Sequence, residues 1–474
     1  MHALFHPRAF LGALLAGVAS TLAASLDWVV ALAAGAVGWV LARDRTAALP
    51  LLSSSSGPPP LPLLRLAGWL ARAVTALEGA ILPGEAVIAR RLAASLTAAV
   101  DAALVDLGVP PALCEDGGRG QAAPALAARL GCDPTALFRL LRAGAATGVV
   151  RVVSAPGGDS ADDEAASVRF GPTSLTVALA AGPAAAVAAV YARHLGAAYS
   201  RLADAARRGT DAYSLAHGGV PFWTRVEEVG DGATFSSAMA AAEGLISPAL
   251  LASARPWGGT REIVDVGGAH GTLLARLLDL AGPDARGTLF DTPAVVEAAR
   301  AAWRAAGRGS LQAAALASGR VAFQGGDFFK ASTLPVLRPG ALAVARFILH
   351  DWCDADAAAI LAGLRSRVVV EDEKVGGRQR GTAAGGSAAA APPPPSLCLI
   401  ELVLPPGAAP PPHPALALSD VNMLAAVRGG RERTASEWAA LLARGGWNLT
   451  SIRPVGTVFL LEAATAEVGG AAEE

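Results

Sequence analysis

Lysine is almost missing from this chain. Lys330 and Lys374 are the only two among 474 residues, so Schiff-base and pyridoxal chemistry has almost no nucleophile to use. Cysteine is scarce too. Cys114, Cys132, Cys353 and Cys398 lie far apart with no CxxC pair, which argues against a zinc site and against a secreted disulfide scaffold; no metal is expected. Excess charge of either sign is lacking. With 39 Lys+Arg against 40 Asp+Glu the net charge is −1, so no basic surface exists to release counterions, and nucleic acid is not an expected partner. There is no GxxxxGK[ST] stretch to cradle phosphates. What is abundant is apolar mass, 53% of the residues and much of it Ala. That suffices for a core and excludes disorder of the whole chain. The length suggests about three domain-sized units.

Composition divides the chain. Residues 9–42 are mostly apolar with Asp27 as the only charge, flanked by Arg8 on one side and by Arg43 and Arg45 on the other. The run exceeds the about 20 residues of one membrane span and falls short of two. Two readings stand for residues 1–50: a membrane hairpin entered from its positive side, or a removed targeting peptide, whose apolar part is typically about 7–15 residues. The protein is accordingly membrane-associated through this segment or organelle-targeted, with the cytoplasm as the alternative. Residues 51–62, rich in Ser and Pro, read as a linker. Residues 63–182 read as mostly helical. A helical run over 92–109 should stop at Pro110-Pro111. Residues 126–150 read helix, turn, helix and strand, with Asp133 as an N-cap and Pro134 at the first helical position. That is a winged-helix pattern, and the balanced charge favours a version that does not bind DNA. A loop is expected at 157–167, and residues 183–260 return to helical patterning. From Arg261 to residue 466, short apolar runs alternate with helical ones, which implies βαβ units and a mostly parallel sheet. Residues 371–396, low in core-forming side chains, read as a disordered insertion.

The sharpest local signal is Ile263-Val264-Asp265-Val266-Gly267-Gly268-Ala269-His270-Gly271 ahead of a helical run. A strand ends, a glycine turn follows and a helix begins, so backbone can approach a ligand at the carboxyl edge of a sheet. The dinucleotide fingerprint GxGxxG does not fit, because its first Gly would fall on Val266 or its second on Ala269. A nicotinamide dehydrogenase is disfavoured on that ground. Asp265 ahead of the turn suits an amino group better than a pyrophosphate. Asp291 ends the next strand, where an acid suits a ribose diol. Gly326-Asp327-Phe328-Phe329 then offers a polar edge and an aromatic face for a purine. Amine, diol and purine together point to S-adenosylmethionine. The bland alternative is a βα turn whose glycines only permit tight packing.

His350 closes the apolar stretch ALAVARFIL and precedes Asp351-Trp352. A strand-end histidine at that edge, with an ordinary pKa near 6.5, can accept a proton at neutral pH. A phenol has a pKa near 10 as in Tyr, so a base within reach helps remove its proton. Glu401 in LIELVLP and Glu432 in GGRERT are carboxylates that could hold the far imidazole nitrogen. Taken singly, Glu401 reads as a structural ion pair, Glu432 as a solvated loop charge, and His350 as a capped strand end.

In order, VDVGGAHG, LFDTP, GGDFF, FILHDW, LIELVLP, DVNML and GGRERT resemble the small-molecule O-methyltransferases of the caffeic acid and hydroxyindole type, which are class I-like and S-adenosylmethionine-dependent. The resemblance covers about residues 85–462. It implies an α/β fold: a Rossmann-like methyltransferase domain preceded by a mostly helical winged-helix dimerisation domain. It further implies a homodimer acting on an aromatic small molecule. By motif, Asp265, Gly267, Gly271, Asp291, Asp327, Phe328 and Arg346 would contact the cofactor. His350 would be the general base, flanked by Glu401 and Glu432. Phe235 and Met239 in FSSAM, together with Asp351 and Met423, would line the acceptor site. Ala269 replaces a common Gly, Phe328 stands where plant enzymes often have Met, and Arg346 where they have Lys. Val427 stands where phenylpropanoid enzymes carry Asn, which departs from a caffeate-like acceptor. The same fold supports N- or C-methylation, and a membrane-tethered, non-catalytic cofactor-binding scaffold is the alternative from another class.

Overall fold

The computed structural model describes residues 77, 80–154, 167–243, 248–369, 393–407, 414–456 and 458–466. The apolar segment 9–42, the linker 51–62 and all but the last residues of the insertion expected at 371–396 lie outside these, as does the loop expected at 157–167 apart from Ser167.

Strands are numbered along the chain. β4 (Glu262–Val266), β5 (Arg286–Asp291), β6 (Val321–Gly325), β7 (Ala341–Arg346), β8 (Ser396–Glu401), β11 (Trp447–Val455) and β12 (Val458–Thr465) form one sheet of order β11-β12-β8-β7-β4-β5-β6. Pairings from β6 through β8 are parallel, and β12 lies antiparallel between β8 and β11. A parallel sheet covered on both faces needs strands that are apolar throughout rather than alternating. β4 and β7 meet this with four and five buried residues. Leu274, Leu278, Leu289 and Trp303 pack on one face, and Val264, Ile360, Leu364 and Trp438 on the other. β4 has β5 on one side and β7 on the other, so the strand order reverses there. A crevice opens beyond the carboxyl ends at such a switch point.

The insertion is shorter than expected at its far end: Ser396 opens β8 and pairs with Leu342 and Ala464. An apolar strand that completes a ladder outweighs the Pro-rich composition just before it.

In the N-terminal part, helices Ala123–Leu130 and Pro134–Thr147 flank a turn at Gly131, and the Asp133 side chain accepts from the Ala136 amide at 2.7 Å. β2 (Val150–Ser154) and β3 (Arg169–Pro172) pair antiparallel, with β1 (Gln121–Ala122) against β3. Leu104, Leu113, Leu126, Leu141 and Phe170 form their core. The prolines at 110–111 act differently from expectation. The long helix Gly84–Asp106 ends before them, Gly108 turns the chain at φ 75°, and both prolines lie in the first turn of a new helix, Val109–Cys114. Amides there have no intrahelical partner in any case, so proline costs nothing. Shorter helices follow from Ser174 to Ala254, with a π-helical turn at Tyr191–Leu195. Among the described residues no single helix is long and apolar enough to cross a membrane.

Candidate active site

The glycine turn leaves β4 at the switch point. Gly267 and Gly271 take φ of 70° and 73°, where glycine is least strained. Space requires them as well: a Cβ on Gly267 would lie 2.3 Å from Ile348 Cδ1, and one on Gly271 2.4 Å from Leu289 Cδ1. Ala269 adopts a positive φ of 46° despite its Cβ. Its amide donates to Asp291 Oδ2 at 2.9 Å, and the Thr292 amide donates to Asp291 Oδ1 at 2.7 Å. Burial raises the Asp291 pKa, while the two amides and His270 pull it back. Each oxygen keeps a further lone pair for a diol. Asp265 is buried within β4. Asp327, just past β6, accepts from the Phe329 amide at 2.9 Å and faces Lys330 at 3.3 Å. Phe328 meets Trp352 edge-on with centroids 5.6 Å apart. Arg346 is the last residue of β7. The expected cofactor residues thus lie at or next to the carboxyl ends of adjacent strands, with Asp265 one residue inside β4.

His350 is not at a strand end. β7 stops at Arg346, Phe347 turns at φ 53°, and His350 sits in a 3₁₀ turn, Leu349–Asp351. The cause is Glu401, the last residue of β8. Its Oε1 accepts the amides of Ile348 and Leu349 at 3.2 and 3.1 Å and takes them off the ladder. His350 Nδ1 lies 3.1 Å from Glu432 Oε1 and 3.9 Å from Glu401 Oε2, Nε2 lies 3.5 Å from Asp351 Oδ1, and the Phe347 ring stacks on the imidazole. Glu432 is no solvated loop charge. It is 3% exposed, its amide donates to Asp420 at 2.9 Å, and its Oε1 accepts from Ser419 at 2.8 Å.

Charge in this cluster is strongly redistributed. Burial opposes the imidazolium, but Asp351, Glu401 and Glu432 outweigh it and lift His350 to about 10. Burial likewise lifts Glu401 to about 7 and Asp351 to about 6, although the imidazolium pulls both down. With Glu432 on Nδ1, the neutral ring carries its proton there and presents a lone pair at Nε2.

The comparisons with known proteins agree with this geometry. An O-methyltransferase domain family matches residues 199–375. O-demethylpuromycin-O-methyltransferase of Streptomyces alboniger is 32% identical over 352 residues, covering 73% of this chain and 80% of the relative. This chain belongs to the S-adenosylmethionine-dependent O-methyltransferases of the caffeic acid and hydroxyindole type. The structure of the mitomycin 7-O-methyltransferase MmcR superposes at a TM-score of 0.62 with 28% identity, covering 83% of this chain and all of MmcR. Human N-acetylserotonin methyltransferase, solved with S-adenosylmethionine, shares the fold at a TM-score of 0.61, with 21% identity and coverage of 81% and 99%. The C-terminal sheet is therefore a Rossmann-like methyltransferase fold, and S-adenosylmethionine is the cofactor.

Phe235 and Met423, both expected to line an acceptor site, lie in one apolar cluster with Phe222, Val226 and Val427. Phe235 lies 4.9 Å from Trp223 and 5.5 Å from Phe222, both edge-on. The Trp223 indole N–H is buried with no partner among the described residues. Met239, one helical turn beyond Phe235, is more exposed, at 36%. The helix Pro414–Ala426 carries Ser419, Asp420 and Met423. Just past its end the Arg431 amide donates to the His350 carbonyl at 2.8 Å, which ties this segment to the turn that carries the histidine. His194, the second buried histidine, is engaged by Tyr213 at 2.9 Å and Asp231 at 3.0 Å.

Ser419 and Arg433 escaped the sequence reading. Ser419 sits one residue before DVNML, and Arg433 directly follows Glu432 within GGRERT. Their signal was present only as proximity to residues already singled out.

Proposed function

We propose that this O-methyltransferase methylates a hydroxyl of an aromatic small molecule, with His350 as general base. The observation that carries the reading is the 3.1 Å contact from His350 Nδ1 to Glu432, which directs proton acceptance to Nε2. Once bound, S-adenosylmethionine would supply an electrophilic methyl on a sulfonium sulfur, which leaves as a neutral thioether when the carbon–sulfur bond breaks. Gly267 and Gly271 let the backbone approach it, Asp265 and Asp291 take its ammonium and diol, and Asp327 and Phe328 its purine, with Arg346 at the neighbouring strand end. Phe235, Met239 and Met423 hold the aromatic acceptor, with Asp351 beside Nε2.

His350 must be neutral to act. In the free protein its three acidic neighbours favour the protonated ring. A cation held nearby would favour the neutral ring. As the hydroxyl oxygen attacks, its proton passes to Nε2, and Glu432 and Glu401 stabilise the resulting imidazolium. Alignment of the two reactants can be worth about 7–11 kcal/mol, and base assistance about 10²–10⁴-fold.

A second part of the proposal is a homodimer through the N-terminal helices. Ile88, Leu92 and Leu96 stand 53–68% exposed along the helix Gly84–Asp106. A repeated apolar stripe of this kind suits burial against a second copy.

The test of acceptor class is to incubate the full chain with methyl-labelled S-adenosylmethionine and a panel of phenols, hydroxyindoles and amines. Label in an aryl methyl ether supports the proposal. Label confined to amines or carbon establishes N- or C-methylation instead. Cofactor binding without transfer to any member leaves two readings, an acceptor outside the panel and the scaffold.

A further inference from the structure

Arg433 is fully buried, and its guanidinium spans the turn that carries His350. Nη1 donates to the Leu349 carbonyl at 3.0 Å, Nη2 to the Trp352 carbonyl at 2.8 Å, and Nε to Asp354 at 3.0 Å. Those two carbonyls bracket His350 and Asp351. Trp438 lies under the guanidinium at 5.1 Å, and Arg444 holds Asp354 from outside at 2.9 Å. Glu432, the preceding residue, grips His350 Nδ1. Adjacent residues thus hold the imidazole and its backbone from two directions, anchored where β10 (Arg433–Thr434) pairs with β9 (Val403–Leu404), two residues past Glu401.

A three-residue 3₁₀ turn has little internal bonding of its own. Its pitch follows from whatever holds its flanking carbonyls. A planar fork with five donors can hold two carbonyls and a carboxylate at once, and an ammonium on a flexible stem cannot reproduce that geometry.

We propose that Arg433 is a positioning residue for methyl transfer: by fixing the Leu349 and Trp352 carbonyls it seats the His350 ring against Glu432. The inference rests on the reading of His350 as the base. The charged groups facing His350 are Asp351 from its own turn, Glu401 from β8 and Glu432 from the segment before β10. Ser419 and Asp420 reach Glu432 rather than the imidazole. Loosening the turn therefore weakens one of three contacts that favour the imidazolium.

The test uses the full-length protein with ¹³C-labelled histidine. The His350 resonance is assigned, among seven histidines, by its loss in His350→Gln. Arg433→Lys keeps the charge and removes the fork. Its His350 titration midpoint should fall by about one pH unit or more, a tenfold loss of proton affinity, while calorimetry shows unchanged S-adenosylmethionine binding. A merely structural Arg433 would lower thermal stability and leave the midpoint where it was, and that result would overturn the proposal. Should the Lys variant not fold, Trp438→Phe removes only part of the platform under the guanidinium. It should move the midpoint the same way by less, and an unmoved midpoint there overturns the proposal equally. Normal methyl transfer by His350→Gln, with the midpoint still shifted in Arg433→Lys, would sink the base reading and Arg433's role in transfer with it. An inactive His350→Gln with an unmoved midpoint would sink the role of Arg433 alone.

Discussion

His350 shares its buried pocket with Asp351, Glu401 and Glu432, and this fixes the pH at which it can serve. A histidine lifted above 6.5 is protonated below its folded pKa, so the base form grows only as pH rises through that value. For the free protein, kcat/KM should therefore climb with pH from neutral into the alkaline range, with its half-maximum well above 6.5. A rate–pH profile checks this, and a plateau already reached at pH 6.5 would contradict it. His350 and both glutamates were legible as residue types beside apolar strand patterns. Their union was legible only through the resemblance to the family's motifs, not through patterning. Glu432 alone looks like a loop charge, because the helix that buries it, Pro414–Ala426, meets it through Ser419 and Asp420, and such tertiary contacts leave no periodic mark in a sequence. The elevated proton affinity was equally hidden, since it is a property of four groups brought together from three segments.

At the scale of elements, the glycine turn was readable because its constraint is local: a strand, a left-handed turn and a helix need glycine at fixed places. The structure adds the reason those glycines cannot be replaced. At Gly267 the opposing atom is Ile348 Cδ1, at the start of the segment that Glu401 pulls from the β7 ladder. Gly267→Ala should cost about 1–3 kcal/mol from the positive φ and the clash and weaken S-adenosylmethionine binding. Adding Ile348→Val should restore part of the loss by giving room. Denaturant unfolding and calorimetry of the single and double variants measure both effects; full additivity of the two substitutions would refute the contact. Other element ends were misjudged for a common reason. The stretch ALAVARFIL is apolar to Leu349 apart from Arg346, yet the strand ends at Arg346 because a carboxylate from another strand captures the amides of Ile348 and Leu349. The first helix stops at Asp106, ahead of the Gly108 turn, and the prolines at 110–111 begin the next one instead.

For the molecule as a whole, the division into a helical N-terminal part and an α/β C-terminal part followed from the switch between helical and alternating strand–helix patterning near Arg261. The order of strands in the sheet did not follow from patterning, because β12 enters between β8 and β11 through long-range antiparallel pairing. The exposed stripe on Gly84–Asp106 is a whole-molecule feature with its own consequence. Leu92→Asp combined with Leu96→Asp places two charges on the proposed dimer face and should convert a dimer to a monomer in light scattering, with the monomer still folded. A wild-type monomer, or a doubly substituted dimer, would remove that proposal.

The central claim is that His350 takes the proton of an aromatic hydroxyl, and phenol acidity tests it most directly. Single-turnover methyl transfer should be measured for wild type and His350→Gln with the phenol of the panel that reacts fastest and with a nitro-substituted analogue that is already ionised at the assay pH. The account predicts that His350→Gln loses about 10²–10⁴-fold on the ordinary phenol, binds S-adenosylmethionine normally, and recovers most of the loss on the ionised analogue, which has no proton to give up. Equal rates for the two proteins on the ordinary phenol, or an equal loss on both phenols, would contradict it.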